Sequence, residues 1–171
     1  MAWPDFLPVL RARSAKGGAV SDDWPVKIPR GARCSGRVER RTQVVFLFLV
    51  LTQGAHSIEE YVTRLYQVFA PARFVSSLVS NNLALGFLVV NGTLVAFGLW
   101  CWAFPVRSGW RAAPGFVWFW TILELGNGLG HSGLALRQGS YFPGVITAPL
   151  LLLFASWLAV LQIRHARVGP P

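Results

Sequence analysis

The chain has 171 residues, 53% of them hydrophobic and only 13% charged. Soluble domains carry about 25% charged residues, so the composition points to the bilayer rather than to an ordinary water-soluble globule. The formal net charge is +9, yet nine of the 16 basic residues precede Thr42, with no aromatic interleaving and no nucleic-acid motif among them. That placement argues against nucleic acid as a partner and for a cytoplasmic tail beside anionic lipid.

Residues 1–41 hold Pro4, Pro8, Pro25, Pro29 and most of the charge, and read as a poorly ordered basic tail. No apolar core precedes a small-residue cleavage site, so no signal peptide is expected. Cys34 falls in the tail and Cys101 in an apolar run, a spacing that makes neither a disulfide framework nor a metal cluster.

Four apolar segments follow, which predict an all-α, four-helix transmembrane bundle over residues 42–165. The first is expected over 42–69, its core the run Val44–Leu51, with Pro71 ending it. The second is expected over 81–104 and closed by Pro105, with Asn91, Gly92 and Thr93 read as small-residue helix packing. The third, over 114–136, opens on Pro114 and an aromatic belt of Phe116, Trp118, Phe119 and Trp120. The fourth, over 143–163, opens on Pro143-Gly144 and closes on Arg164, His165 and Arg167. The basic residues then divide 13 to three between the two sides, which predicts an inner-membrane protein with both termini in the cytoplasm.

The polar residues inside these segments are the informative ones. A charged side chain near the centre of a spanning helix costs roughly 2.5–3.5 kcal/mol on insertion scales, and such residues usually face a bundle interior and work there. His56, Glu59 and Glu60 fall on an arc of roughly 100° of the first helix; Glu124, Asn127 and His131 fall within roughly 60° on the third. Both helices run outward. A rise of about 1.5 Å per residue puts His131 level with Glu59 and Glu60, Asn127 level with His56, and Glu124 deeper. Outside the tail, the chain's acidic residues are Glu59, Glu60 and Glu124 alone. If the two helices touch, imidazoles and carboxylates share a pocket in the outer half.

Two readings of that pocket compete. In one, His56, Glu59, Glu60, His131 and Glu124 ligate a divalent metal, Zn, Fe or Mn, since imidazole and carboxylate suit all three. In the other, the same groups pair with Arg64 or Arg73, or share protons, and hold the bundle together. Tyr141-Phe142-Pro143-Gly144 lies in the outer loop above. Pro-Gly there reads first as a helix start after a tight turn, and Tyr141 as a lid, proton donor or substrate contact second.

These motifs carry a resemblance. His56-Ser57-Ile58-Glu59-Glu60 fits an HxxEE pattern, His131 a second histidine, and Tyr141-Phe142-Pro143-Gly144 a YxPG motif. The chain resembles the HXXEE-domain family of small multi-span bacterial membrane proteins over about residues 44–161. The resemblance implies functional weight on His56, Glu59, Glu60, His131, Tyr141, Pro143 and Gly144, and supplies no activity. The functional expectation is a metal-dependent membrane enzyme acting on a lipid or other apolar molecule, with Glu59 or Glu60 as ligand or general base. The alternatives are a non-enzymatic carrier or proton-coupled protein using the carboxylates as a relay, and a structural membrane partner.

Overall fold

The apolar run at the start of the first helix and the polar residues at its end turn out to share one stripe. The computed structural model describes residues 38–167, and every regular element among them is helical. The basic tail, up to residue 37, lies outside the described residues. In α1 (Arg40–Val62) the buried positions recur every three or four residues along its whole length. The lower part of the stripe is Val45, Phe46, Leu49 and Val50; the upper part is Thr52, Gln53, His56, Ser57 and Glu60. Helix α5 (Ala113–Gln138) repeats the pattern, with Ala113, Val117 and Trp120 below and Thr121, Glu124 and His131 above.

Two short helices, α2 (Leu65–Val68) and α3 (Ala70–Val79), precede α4 (Leu83–Cys101), which continues through a π-helical turn at Trp102–Val106. After α5 the chain closes with α6 (Ala148–Arg167). Helices α1 and α5 run parallel and meet through side chains across the bundle: Phe46 lies edge-on to Trp120 at 6.3 Å between ring centres, and His56 edge-on to His131 at 4.7 Å. Helix α6 packs on both, and α4 packs on α1 and α3 and reaches α5 through the π turn and through Phe97, Gly98 and Trp100. Glycines set the close approaches. A Cβ on Gly98 would stand 2.9 Å from the Trp120 ring, and one on Gly128 2.7 Å from Leu152. The lower core is apolar, built on Phe46, Leu49, Trp120, Leu151 and Leu158. A smaller cluster of Leu65, Tyr66, Phe87 and Phe142 caps the top. The polar stretches of α1 and α5 lie between them.

The helix expected through residue 69 breaks earlier. Thr63 caps α1, and Arg64 takes a left-handed conformation (φ 60°), rare for a residue with a side chain. Pro71 does not end a helix; it sits in the first turn of α3, where its missing N–H costs nothing. Helix α3 then packs antiparallel on α4, Ser76 against Gly86, with Phe74 and Leu78 exposed. Pro105 does not close the second helix either, because the π turn absorbs it. Pro143-Gly144 starts no helix: Gly144 turns the chain at φ 89°, and α6 begins at Ala148. Among the described residues two helices, Leu83–Val106 and Ala148–Arg167, are long and apolar enough to cross a membrane. The site-building polar residues of α1 and α5 lower the hydropathy of those two helices.

Candidate metal centre

His56 is fully buried, and its Nδ1 lies 2.7 Å from the Thr147 hydroxyl oxygen. That hydroxyl has one proton, which it donates to Glu59 Oε2 at 2.6 Å. The Thr147 oxygen must therefore accept from His56 Nδ1–H. His131 Nδ1 lies 2.5 Å from the carbonyl oxygen of Pro143, which can only accept. Both rings thus carry their proton on Nδ1, a tautomer assigned from the partners. Both Nε2 atoms then converge on one oxygen, Glu60 Oε1, at 3.4 Å from His56 and 3.0 Å from His131.

Neutral rings in this tautomer aim two lone pairs at a carboxylate. A proton between His131 and Glu60 relieves one repulsion and leaves His56 Nε2, a buried atom, without a hydrogen-bond partner. A cation among the three relieves all of it. The three ligand atoms lie within 4.8 Å of one another. Two ligands each about 2.0–2.1 Å from a tetrahedral zinc are roughly 3.3 Å apart, close to both observed spacings. The Nδ1–H bonds to Pro143 and to Thr147–Glu59 are the outer-shell partners that metal-bound imidazoles require.

The loop between α5 and α6 supplies that outer shell. Glu59 accepts from the Tyr141 hydroxyl at 2.8 Å, from the backbone N–H of Ile146 at 3.1 Å and of Thr147 at 2.9 Å, and from the Thr147 hydroxyl. Burial raises the Tyr141 pKa, and the bond to the Glu59 carboxylate raises it further. Gly144 lies over both imidazoles. A Cβ there would stand 2.6 Å from His131 Nδ1 and 2.7 Å from His56 Cε1.

A family model described as a protein of unknown function with HXXEE motif matches residues 44–159. The chain belongs to the HXXEE family. No curated protein matches it, and no solved structure does. The HXXEE motif has a direct geometric reading in this structure. Its first and last residues, His56 and Glu60, are one helical turn apart and face the centre together. Its fourth residue, Glu59, is rotated by about 100° from Glu60 and grips the loop instead. The YxPG residues serve the same loop, through the Tyr141 hydroxyl, the Pro143 carbonyl and the bare backbone of Gly144.

Glu124 and Asn127, the deeper candidates, belong to a separate polar tier. Glu124 is fully buried and outside the three-ligand group. One end of the Gln53 amide lies 2.8 Å from Glu124 Oε2. If Glu124 is ionised, that end must be the nitrogen, which then faces the Asn127 amide nitrogen at 3.2 Å. The single Ser57 proton is then also wanted by two acceptors, Gln53 and Asn91, each at 3.1 Å. With Glu124 as a neutral acid donating to Gln53 Oε1, every group is satisfied. Asn127 donates to Gln53 Oε1 at 3.2 Å, Gln53 to Ser57 at 3.1 Å, Ser57 to Asn91 at 3.1 Å, and Asn91 to the Phe87 carbonyl at 3.1 Å. This amide orientation fits Glu124 as an uncharged acid, and the opposite one, with Gln53 Nε2 donating to Glu124 Oε1 and Oε2, fits it as a carboxylate.

The arginine pairing considered from sequence does not occur. Among the described residues the ion pairs are Arg41–Glu39 and the two imidazole contacts of Glu60, while Arg73 donates to the Gln67 carbonyl. Sequence reasoning passed over Gln53, Ser57 and Thr147. Gln53 was within reach, since 53, 56 and 60 follow helical spacing on one face. Thr147 gave no local signal, because its partners lie 88 and 91 positions away.

Proposed function

We propose that this HXXEE protein is a four-span membrane enzyme that binds one divalent metal ion through His56, Glu60 and His131 and acts on an apolar molecule in the bilayer. The convergence of two Nδ1-anchored imidazoles on a single buried carboxylate oxygen carries the reading. Two histidines and a carboxylate with remaining positions open make a ligand set used by catalytic zinc and by non-haem iron, so Zn and Fe suit it best, with Mn behind. Such an ion polarises a substrate oxygen or lowers the pKa of bound water. The chain's residues divide the other work. Glu59 and Thr147 orient His56, Pro143 orients His131, and Glu124 holds a proton on the wall of the cavity that Glu60 and His131 also line. General acid catalysis needs a group of that kind.

A transmembrane proton relay is less well supported. The polar tier runs sideways from α5 through α1 to α4, and beneath it Phe46, Leu49, Val50 and Trp120 form an apolar, fully buried layer. The basic-residue asymmetry supports cytoplasmic termini and a site in the outer leaflet; alkaline phosphatase activity from a C-terminal fusion contradicts that orientation. Metal analysis of purified protein tests the function. Wild type retains close to one ion per chain after dialysis, and a His56→Ala, His131→Ala double variant retains almost none. Equal, trace metal in both after reconstitution with Zn, Fe(II) and Mn overturns the reading.

A further inference from the structure

The centre has a second compartment, and it faces sideways. A cavity of about 690 Å³ lies between α3, α4 and α5 and ends at Glu60 and His131. That is within the range of sites for drug-sized ligands. The bundle leaves it there because the contacts of α4 with α5 gather at the π turn and at Phe97, Gly98 and Trp100, toward the end of α4 away from Glu60 and His131. Its outer walls are Val75, Val90, Leu94, Ile122 and Leu123. Ile122 is 65% exposed and Val75 42%, so the cavity opens on the flank of the bundle. Gly126 stands in the wall with open space where its side chain would be.

The inner end has a different chemistry. Gln53, Asn91, Glu124 and Asn127 line it beside the two ligands, and among the described residues neither lysine nor arginine does. Phosphate sites are built from guanidinium or ammonium groups, or from helix N-termini; among the described residues no guanidinium or ammonium group is in the wall, and the helix start it contains is the first turn of α3, where Pro71 has no N–H to offer. The residues present offer a carboxyl group, amide hydrogens and amide oxygens, which suit an uncharged head with both donors and acceptors.

We propose that the cavity binds a single-chain amphiphile entering laterally between α4 and α5, its uncharged ester, amide or alcohol head at the Glu60–His131 end and its tail against Val90, Leu94 and Ile122. This deepens the enzyme reading above and rests on it for what happens at the head. A lateral mouth lets the tail trail into lipid while the head is drawn out of it, so the substrate never crosses water.

The test uses the full chain in nanodiscs, with dodecanamide and dodecyl phosphate as probes. Native mass spectrometry reads the bound probe, and elemental analysis reads the metal in the same samples. Gly126→Phe fills the cavity from a position where a Cβ meets nothing, and Gly130→Phe is its control, on the same helix, also in open space and outside the cavity. Dodecanamide binds wild type and Gly130→Phe alike and is weakened at least about ten-fold in Gly126→Phe. Metal content is the same in all three. Equal amide binding in wild type and Gly126→Phe overturns the proposal, as does a preference for dodecyl phosphate. Metal-free protein with Gly126-dependent amide binding supports the amphiphile site and refutes the metal centre alone. Metal-loaded protein without such binding does the reverse.

Discussion

Gly144→Ala is the smallest change that separates an assembled centre from a fortuitous cluster. The substitution adds one methyl group, and two independent costs follow. The backbone sits at φ 89°, where a side chain is strained by about 1–3 kcal/mol. The added Cβ would stand 2.6 Å from His131 Nδ1, where ordinary contact begins at 3.4 Å, so the ring or the loop must give by about 0.8 Å. His131 has little room to yield, because Nδ1 is bonded to Pro143 and Nε2 faces Glu60. Metal sites tolerate errors of only about 0.2 Å in ligand distance. The expected result is a loss of metal affinity of at least about 10–100-fold, the range seen when outer-shell partners are removed. It comes with a stability loss of about 1–3 kcal/mol, read as a lower melting temperature in detergent. Competitive chelator titration measures the affinity. Gly130→Ala is the control, since its Cβ meets nothing and helical alanine is favoured over glycine by about 1 kcal/mol. A Gly144→Ala protein with wild-type metal affinity refutes the claim that this glycine spaces the two imidazoles.

Thr147→Val keeps the shape and removes the hydroxyl between His56 and Glu59, and it should weaken metal binding by about 10–100-fold. In a double-mutant cycle with Glu59→Gln the two losses should be far from additive; strict additivity contradicts the relay. Glu124→Gln retains a donor toward Gln53, so it should leave the melting temperature nearly unchanged, whereas Glu124→Leu should cost about 1–3 kcal/mol by stranding the amides. Infrared difference spectra should show a protonated carboxyl band in wild type that Glu124→Gln abolishes; a carboxylate band in its place refutes the neutral acid. The Tyr141 phenol is raised above its ordinary value of about 10, so from neutral pH upward its bond to the Glu59 carboxylate is kept until pH climbs through the raised value. Alkaline absorbance titration should therefore show a late-ionising tyrosine that disappears in Tyr141→Phe; loss of an early one instead contradicts the contact.

Helical spacing made His56, Glu60 and His131 legible, because the period that buries Phe46 and Trp120 also carries the polar residues onto the same face. It did not separate Glu59 from Glu60. Both are near the edge of one arc, and only the position of the α5–α6 loop decides which turns inward. Proline was read too simply. Pro71 begins a helix, Pro105 is tolerated by a π turn and Pro143 contributes its carbonyl, since the residue forbids one backbone hydrogen bond and says little about which other the chain will make. The break at Arg64 had no sequence mark, because arginine rarely takes a left-handed conformation. Thr147 was invisible for a different reason: its function lies entirely in contacts with α1.

X-ray absorption at the metal edge of the reconstituted wild-type protein and of His56→Ala tests the metal centre most directly. The account predicts a first shell of nitrogen and oxygen at about 2.0–2.1 Å with imidazole scattering from two rings, falling to one ring in the variant. A spectrum without imidazole scattering, or one that His56→Ala leaves unchanged, contradicts it.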